Sequence, residues 1–320
     1  MVSIIFLQNS LIYANALTLL AIGLTLTYLT TKIPNFAHGS LAIVGAYALF
    51  TVVAVYRHGI GLGFAASFLA GALAGLLQYI LVLRTLQRRG TDPLGLMIST
   101  LGVDIFLIGV LNIYADILTG MHPATGTSRD WSLRGMVSGR VAGATEGFWI
   151  SVGLTLAGLV ALYLLLTRTR LGVAMRASIE NPSLAEVLGV NVDLVYMLSW
   201  IIAGGFAGLA GGLLSFVLRI NPVVGSEEVV SVFAASIVGG LQSLLGAVLG
   251  GYLVGLSETL GTGMLAEALN MPGLVVYRKV VSLSLIVIVL LLAPEGLMGV
   301  NWRKFVKRVT LRREEAVETS

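Results

Sequence analysis

The chain has 320 residues, of which 57% are apolar and only 11% charged, with a mean hydropathy of +0.93. Soluble domains carry roughly a quarter of charged residues, so water is not the main solvent of this chain. The net charge of +4 is small and the basic residues fall in short clusters between apolar runs, which is a topology signal and excludes a nucleic-acid surface. The absence of cysteine excludes disulfides, thiolate metal sites and cysteine nucleophiles.

In chain order, apolar stretches at 10–32, 36–56, 61–83, 94–115, 148–167, 193–218, 229–257 and 276–293 predict about eight hydrophobic segments of membrane-spanning length. The fold class expected is therefore an all-α polytopic membrane protein, one domain over 1–320. The first segment lacks a basic n-region and a cleavage site and is expected to stay in the mature chain. After it, Lys32-Ile33-Pro34-Asn35-Phe36-Ala37-His38-Gly39-Ser40 interrupts the pattern. Pro34 stops a helix, and Asn35 is expected to cap the next.

Three basic clusters mark one side of the membrane: Arg84, Arg88 and Arg89; Arg168, Arg170 and Arg176; and Arg303, Lys304, Lys307, Arg308, Arg312 and Arg313. The positive-inside rule places these in the cytoplasm, with the loop 168–192 and the tail 294–320, and puts the loop 116–147 outside. Counting crossings then requires 229–257 to turn back on itself. Gly239-Gly240-Leu241-Gln242-Ser243 near its middle predicts a re-entrant hairpin, with Glu227 and Glu228 solvated at an outer mouth. Irregular backbone at membrane depth is tolerated where it lines a wet cavity or is buried in protein. Asn35, His38, Gly239, Gly240, Gln242 and Ser243 are thus the candidates for a path, with His38 either touching what passes or bonded to backbone carbonyls. A broken segment in each half suggests an inverted repeat, although no strong residue identity between the halves is visible.

Between the fifth and sixth segments, Asn181 as N-cap, Pro182 at the first helical position and Gly189 as a C-terminal stop predict a helix of about two turns. Such a helix is not stable alone, and its Leu184, Val187 and Leu188 need a partner surface or the lipid headgroup layer. Small residues at i, i+4 spacing form two rows on the sixth segment, Gly204, Gly208 and Gly212 beside Ala203, Ala207 and Gly211. They predict close helix packing, as do Ser67, Gly71 and Gly75. Asp104 lies near the centre of the fourth segment, where an unpaired carboxylate costs several kcal/mol, so it is expected to face protein or water, to be paired, or to be neutral.

These motifs resemble a known family. The loop Thr169 to Asn191 is similar to the coupling-helix loop of ATP-binding-cassette importer permeases. Asn35-Phe36-Ala37-His38-Gly39, Ile220-Asn221-Pro222, the Gly239-Gly240 turn with Gly246-Ala247 and Gly250-Gly251, and Pro294-Glu295-Gly296-Leu297-Met298-Gly299 resemble the branched-chain amino acid permease family in the same order. Two departures stand out: Ser40, where the family usually has an acidic residue or glutamine, and Asp104, where an uncharged residue is expected. The resemblance implies a transport subunit of a prokaryotic cell membrane that moves branched-chain or related amino acids by alternating access. It implies that Asn181, Pro182, Leu184, Ala185, Glu186, Val187, Leu188 and Gly189 couple to the ATPase. It also implies as partners two ATPase subunits, a homologous second permease or a second copy, and an extracytoplasmic substrate-binding protein. No phosphate-binding loop is present, since none of the four lysines follows a glycine, and neither HExxH nor GxSxG occurs. The reading is therefore of a non-enzyme without cofactor or metal, ATP being used by partner subunits. Urea or short amides in the same fold, and an ion-coupled secondary transporter with Asp104 as proton carrier, are the alternatives.

Overall fold

The computed structural model describes residues 4–123 and 128–299; Gly126 and the six cations of the tail lie outside the described residues. Eleven helices of interest follow in order among the described residues. They are α1 (Ile4–Thr31), α2 (His38–Val55), α3 (Ile60–Arg88), α4 (Pro93–Met121), α5 (Glu146–Arg168), the short α6 (Arg170–Glu180) and α7 (Pro182–Val187), α8 (Val192–Leu214), α9 (Val224–Gly239), α10 (Leu244–Ala268) and α11 (Arg278–Leu292). Eight helices of this bundle are long and apolar enough to cross a membrane. α9 has 16 residues and is not one of those eight.

Local chemistry sets the helix starts. The side chains of Asp92, Thr145, Asn181, Asn191 and Ser243 each accept a hydrogen bond from a backbone N–H two or three positions into the next helix. Such caps satisfy donors that a helix cannot satisfy itself. Asn35 does not cap α2: that position is Ala37, and the Asn35 carboxamide instead accepts from the Ala37 N–H at 3.1 Å.

α1 runs through the middle of the bundle and is buried along nearly its whole length. It packs on α8 and α10, while α8 also takes α2 and α3. The small-residue rows explain how closely. A Cβ at Gly204 would lie 2.3 Å from the Gly71 carbonyl, one at Gly208 2.1 Å from that of Ser67, and one at Gly211 1.8 Å from that of Ala42. Only glycine fits there, and the backbones touch. Gly212 faces the Phe64 ring, and Ala203 and Ala207 are buried in the same seam. By contrast α4, α5 and α11 are peripheral, with Ile105, Phe106, Tyr163 and Leu291 on exposed apolar faces.

The bundle has two distinct ends. At one, Ile33 packs with Tyr79, Leu83, Leu96 and Trp200, and α6 and α7 lie beside the end of α5. At the other, the segment from residue 128 folds over the bundle: Trp131 pairs with Ile220, the Leu133 N–H donates to the Ser215 carbonyl, and the Thr145 N–H donates to Gln8.

The stretch 229–257 is not a hairpin folded at membrane depth. It is the end of α9 and most of α10, and their joint, Gly240 to Ser243, lies at the α6–α7 end against Glu295 and Gly296. Gly240 takes a φ of +106°, and the Leu297 N–H donates to the Val238 carbonyl. A further interruption falls one element earlier, in residues 215–223, under the segment from residue 128. Pro222 cannot donate there, and the Asn221 side chain accepts from the Val223 and Val224 N–H groups, which starts α9 partway into the bundle.

Candidate functional site, where two broken helices meet

α2 and α9 begin in the interior and run to opposite ends. α2 rises to the end where Tyr47 donates to the Ser128 carbonyl and Thr51 bonds Tyr114; α9 descends to Gly239 and the Pro294 segment. Their first turns abut. A Cβ at Gly39 would lie 1.9 Å from the Gly225 carbonyl oxygen, and one at Gly225 2.5 Å from that of Gly39. Both glycines are the second residue of their helix, and each is followed by a serine.

The two approaches share more than this. Asn35-Phe36-Ala37-His38-Gly39-Ser40 and Asn221-Pro222-Val223-Val224-Gly225-Ser226 share the pattern N-x-x-x-G-S at identical spacing. The local geometry repeats as well. Each asparagine side chain accepts from the N–H two residues on, and each asparagine carbonyl accepts from the N–H three residues on at 3.3 Å. The pattern is legible in the sequence by its spacing, and it stands at the start of one broken helix in each half.

α4 closes the junction from the side. Ser40 Oγ donates to Asp104 Oδ1 at 2.5 Å and Ser226 Oγ to Asp104 Oδ2 at 2.6 Å. One turn away, the Phe36 N–H donates to Thr100 Oγ1, and Phe36 stacks on Phe233 of α9 at 4.8 Å. Asp104 is thus buried with one hydroxyl donor on each oxygen, and it makes no ion pair among the described residues. The expectation that this carboxylate is paired or faces protein is met by neutral donors.

The six candidate path residues fall into two separate groups. Asn35 and His38 flank the junction, both fully buried. Asn35 exchanges hydrogen bonds with Gln78, and His38 Nε2 bonds the Leu20 carbonyl of α1 with its ring against Gly23. Gly239, Gly240, Gln242 and Ser243 lie at the far end of α9. There Gly240, Gln242 and Ser243 line a cavity of about 640 Å³ with Tyr28, Pro294 and Glu295. Ser243 also caps α10. Gly239 instead packs against Gly246, where a Cβ would lie 1.9 Å from its carbonyl oxygen.

A second polar group was not anticipated. Glu228, expected to be solvated, is buried just after Ser226 on α9. Its carboxylate binds Arg278 and Lys279 of α11, each at 2.7 Å, and accepts from Tyr13 of α1 at 2.7 Å. The same Tyr13 oxygen lies 2.5 Å from Glu258, so its one proton is shared between the two carboxylates, and Ser231 and Ser282 donate to the other Glu258 oxygen. Glu258 sits in a π-helical turn of α10, Ser257–Gly261, which displaces the residue into the bundle. The signal lay in an Arg-Lys pair opening the last apolar run. Its partners, 20 to 50 residues earlier in the chain, gave no local pattern.

At the α6–α7 end, Asn181 caps α7 through the Leu184 N–H at 3.0 Å, Pro182 takes the first position and Gly189 has a φ of +86°. Ala185 is buried against the bundle, while Leu184, Val187 and Leu188 are exposed, Val187 by 84%. Glu186 is exposed beside them.

Residues 6–290 match the family described as branched-chain amino acid transport system / permease component. The chain belongs to that family. It is 43% identical over 304 residues to the "Probable branched-chain amino acid transport permease protein LivH" of Methanocaldococcus jannaschii, covering 93% of each chain. It is 31% identical over 313 residues to the "High-affinity branched-chain amino acid transport system permease protein LivH" of Escherichia coli K12, covering 92% of this chain and 96% of that one. Among solved structures, PsaBC from Streptococcus pneumoniae in complex with Fab shares the fold at a TM-score of 0.50 and 15% identity, over 91% of this chain and 92% of that one. The protein is a polytopic membrane permease.

Proposed function

We propose that this permease is the membrane-spanning subunit of an ATP-binding-cassette importer that moves branched-chain amino acids across a prokaryotic cell membrane. The substrate class rests on the names carried by its relatives. Coupling to an ATPase is supported by one observation above all: α7 presents three apolar side chains to water at the charged end of the bundle, on a helix fixed at both ends and anchored by Ala185. Exposed apolar residues on so short and rigid a support fit a groove on a partner. The α6–α7 end is then cytoplasmic and the end carrying residues 128–145 extracytoplasmic. Two ATPases would bind the former and a substrate-binding protein the latter, with a second permease beside this one. Closure of the ATPases would shift α7, and α2 and α9 would open in turn to the two sides.

The decisive variant is Leu188→Asp. It would bury a charge against the groove, and a desolvation cost of a few kcal/mol weakens association by about tenfold for each 1.4 kcal/mol. Normal membrane insertion with loss of ATPase copurification and of leucine uptake is expected. Wild-type recovery of the ATPase would remove α7 as the docking element. Because the chain has no cysteine, single cysteines at the exposed positions Val173 and Gly261 report sidedness directly. Labelling from the cytoplasm at Val173 and from outside at Gly261 is expected, and the reverse would invert the orientation.

A further inference from the structure

The junction poses an electrostatic problem that side-chain packing does not solve. A helix N-terminus carries roughly +0.5 of a charge from its unpaired N–H groups. α2 and α9 bring two such ends into backbone contact at Gly39 and Gly225. Neither N-cap residue, Ala37 or Val223, supplies a capping side chain, and Asn35 and Asn221 meet the first N–H groups with neutral oxygens that carry no compensating charge. Two like partial charges, together about one unit, therefore face each other in a low-dielectric interior, where repulsion is strong. Asp104 is the carboxylate at this point, and it reaches the third residue of both helices at once through Ser40 and Ser226. The nearby His38 ring is bonded away from it, to α1. A single negative charge with no cation of its own is placed where two helix ends need one.

We propose that Asp104 is the counter-charge that allows α2 and α9 to abut, and hence the positioning residue of the junction. It acts through the two serines. Because it stands on α4, which is otherwise weakly buried, it also ties that peripheral helix to the centre of the bundle. Any movement that parts the two half-helices must break one of the two serine bonds or carry α4 along.

The proposal separates charge from hydrogen bonding. Asp104→Asn keeps the size and can still meet both hydroxyls, but removes the charge. Ser40→Asp places two carboxylates together. The double variant Ser40→Asp with Asp104→Ser returns one carboxylate and one hydroxyl to the same pair with their places exchanged. Melting of the purified permease in detergent requires neither substrate nor partner, so its outcome is independent of the transport reading. Asp104→Asn is expected to lower the melting temperature by roughly 5 °C, Ser40→Asp by more, and the exchange to recover most of that loss. Spin labels at Ile105→Cys on α4 and Leu73→Cys on α3, both exposed, supply a second measure. A narrow distance distribution in the native background and in the exchange variant, broadened in Asp104→Asn, is expected. Native melting and a narrow distribution in Asp104→Asn would overturn the proposal, because hydrogen bonds alone would then suffice. An exchange variant no better than Ser40→Asp alone would overturn it as well.

Discussion

Within its first turn and a half, α9 joins two buried groups of charge that are balanced by opposite means. At Ser226 it meets Asp104, whose charge is offset by hydroxyls and helix ends. At Glu228 it meets Arg278 and Lys279, so two acids and two bases cancel side chain against side chain. Balance by backbone ties the charge to where helices end, and is lost when a helix end moves. Balance by side chains ties it to residue identity, and survives a shift of the backbone as long as the partners follow. The first therefore suits a point that must be fixed in one geometry, the second a seam that holds peripheral α11 to the bundle.

The largest effect should come from forcing the helix ends apart. Gly225→Val would drive a branched side chain into the Gly39 and Ser40 backbone, which lies 2.5 to 2.8 Å from a Cβ there, and loss of folded permease in gel filtration is expected. Glu228→Ala comes next. It leaves Arg278 and Lys279 short of their shared acid, and breaking a buried pair in this way costs about 3–5 kcal/mol. A large fall in melting temperature is expected, partly restored by adding Lys279→Ala. A smaller loss, on the order of 1–2 kcal/mol, should follow Thr100→Val, which deprives the Phe36 N–H of its acceptor at the edge of the junction. Asp116→Asn sharpens the comparison from the other side. Its pair with Arg129 is solvent-exposed, and exposed pairs contribute little, so melting and uptake should stay at native values.

Much of this architecture is legible in the residues. Asn181, Pro182 and Gly189 specify α7 because caps and stops act over three or four residues and need no tertiary partner. The eight apolar runs correspond to crossing helices for a similar reason. In the seventh the turn lies where Gly239 to Ser243 predict it, between α9 and α10, and what misleads is its place, because hydropathy does not say how far into the bundle a turn sits. The true break at Asn221 and Pro222 was instead absorbed into a polar loop beside Arg219. Pairings distant in sequence left no local trace, Glu228 and Glu258 with Arg278 and Lys279 among them. Ser40 and Asp104 are the instructive case. Each stands out as a departure from the family pattern when taken alone, and the structure shows them bonded to each other, so the two departures form one feature.

The head-to-head arrangement of α2 and α9 also bears on how the permease responds to membrane voltage. Their macrodipoles point in opposite directions along the membrane normal, so a transmembrane field that favours the motion of one opposes the same motion of the other. Moving a full charge through 100 mV is worth about 2.3 kcal/mol, but a symmetric rocking of two opposed dipoles about a stationary Asp104 displaces almost no net charge. Head to head, the two helices present the potential across the membrane with almost no net dipole to act on.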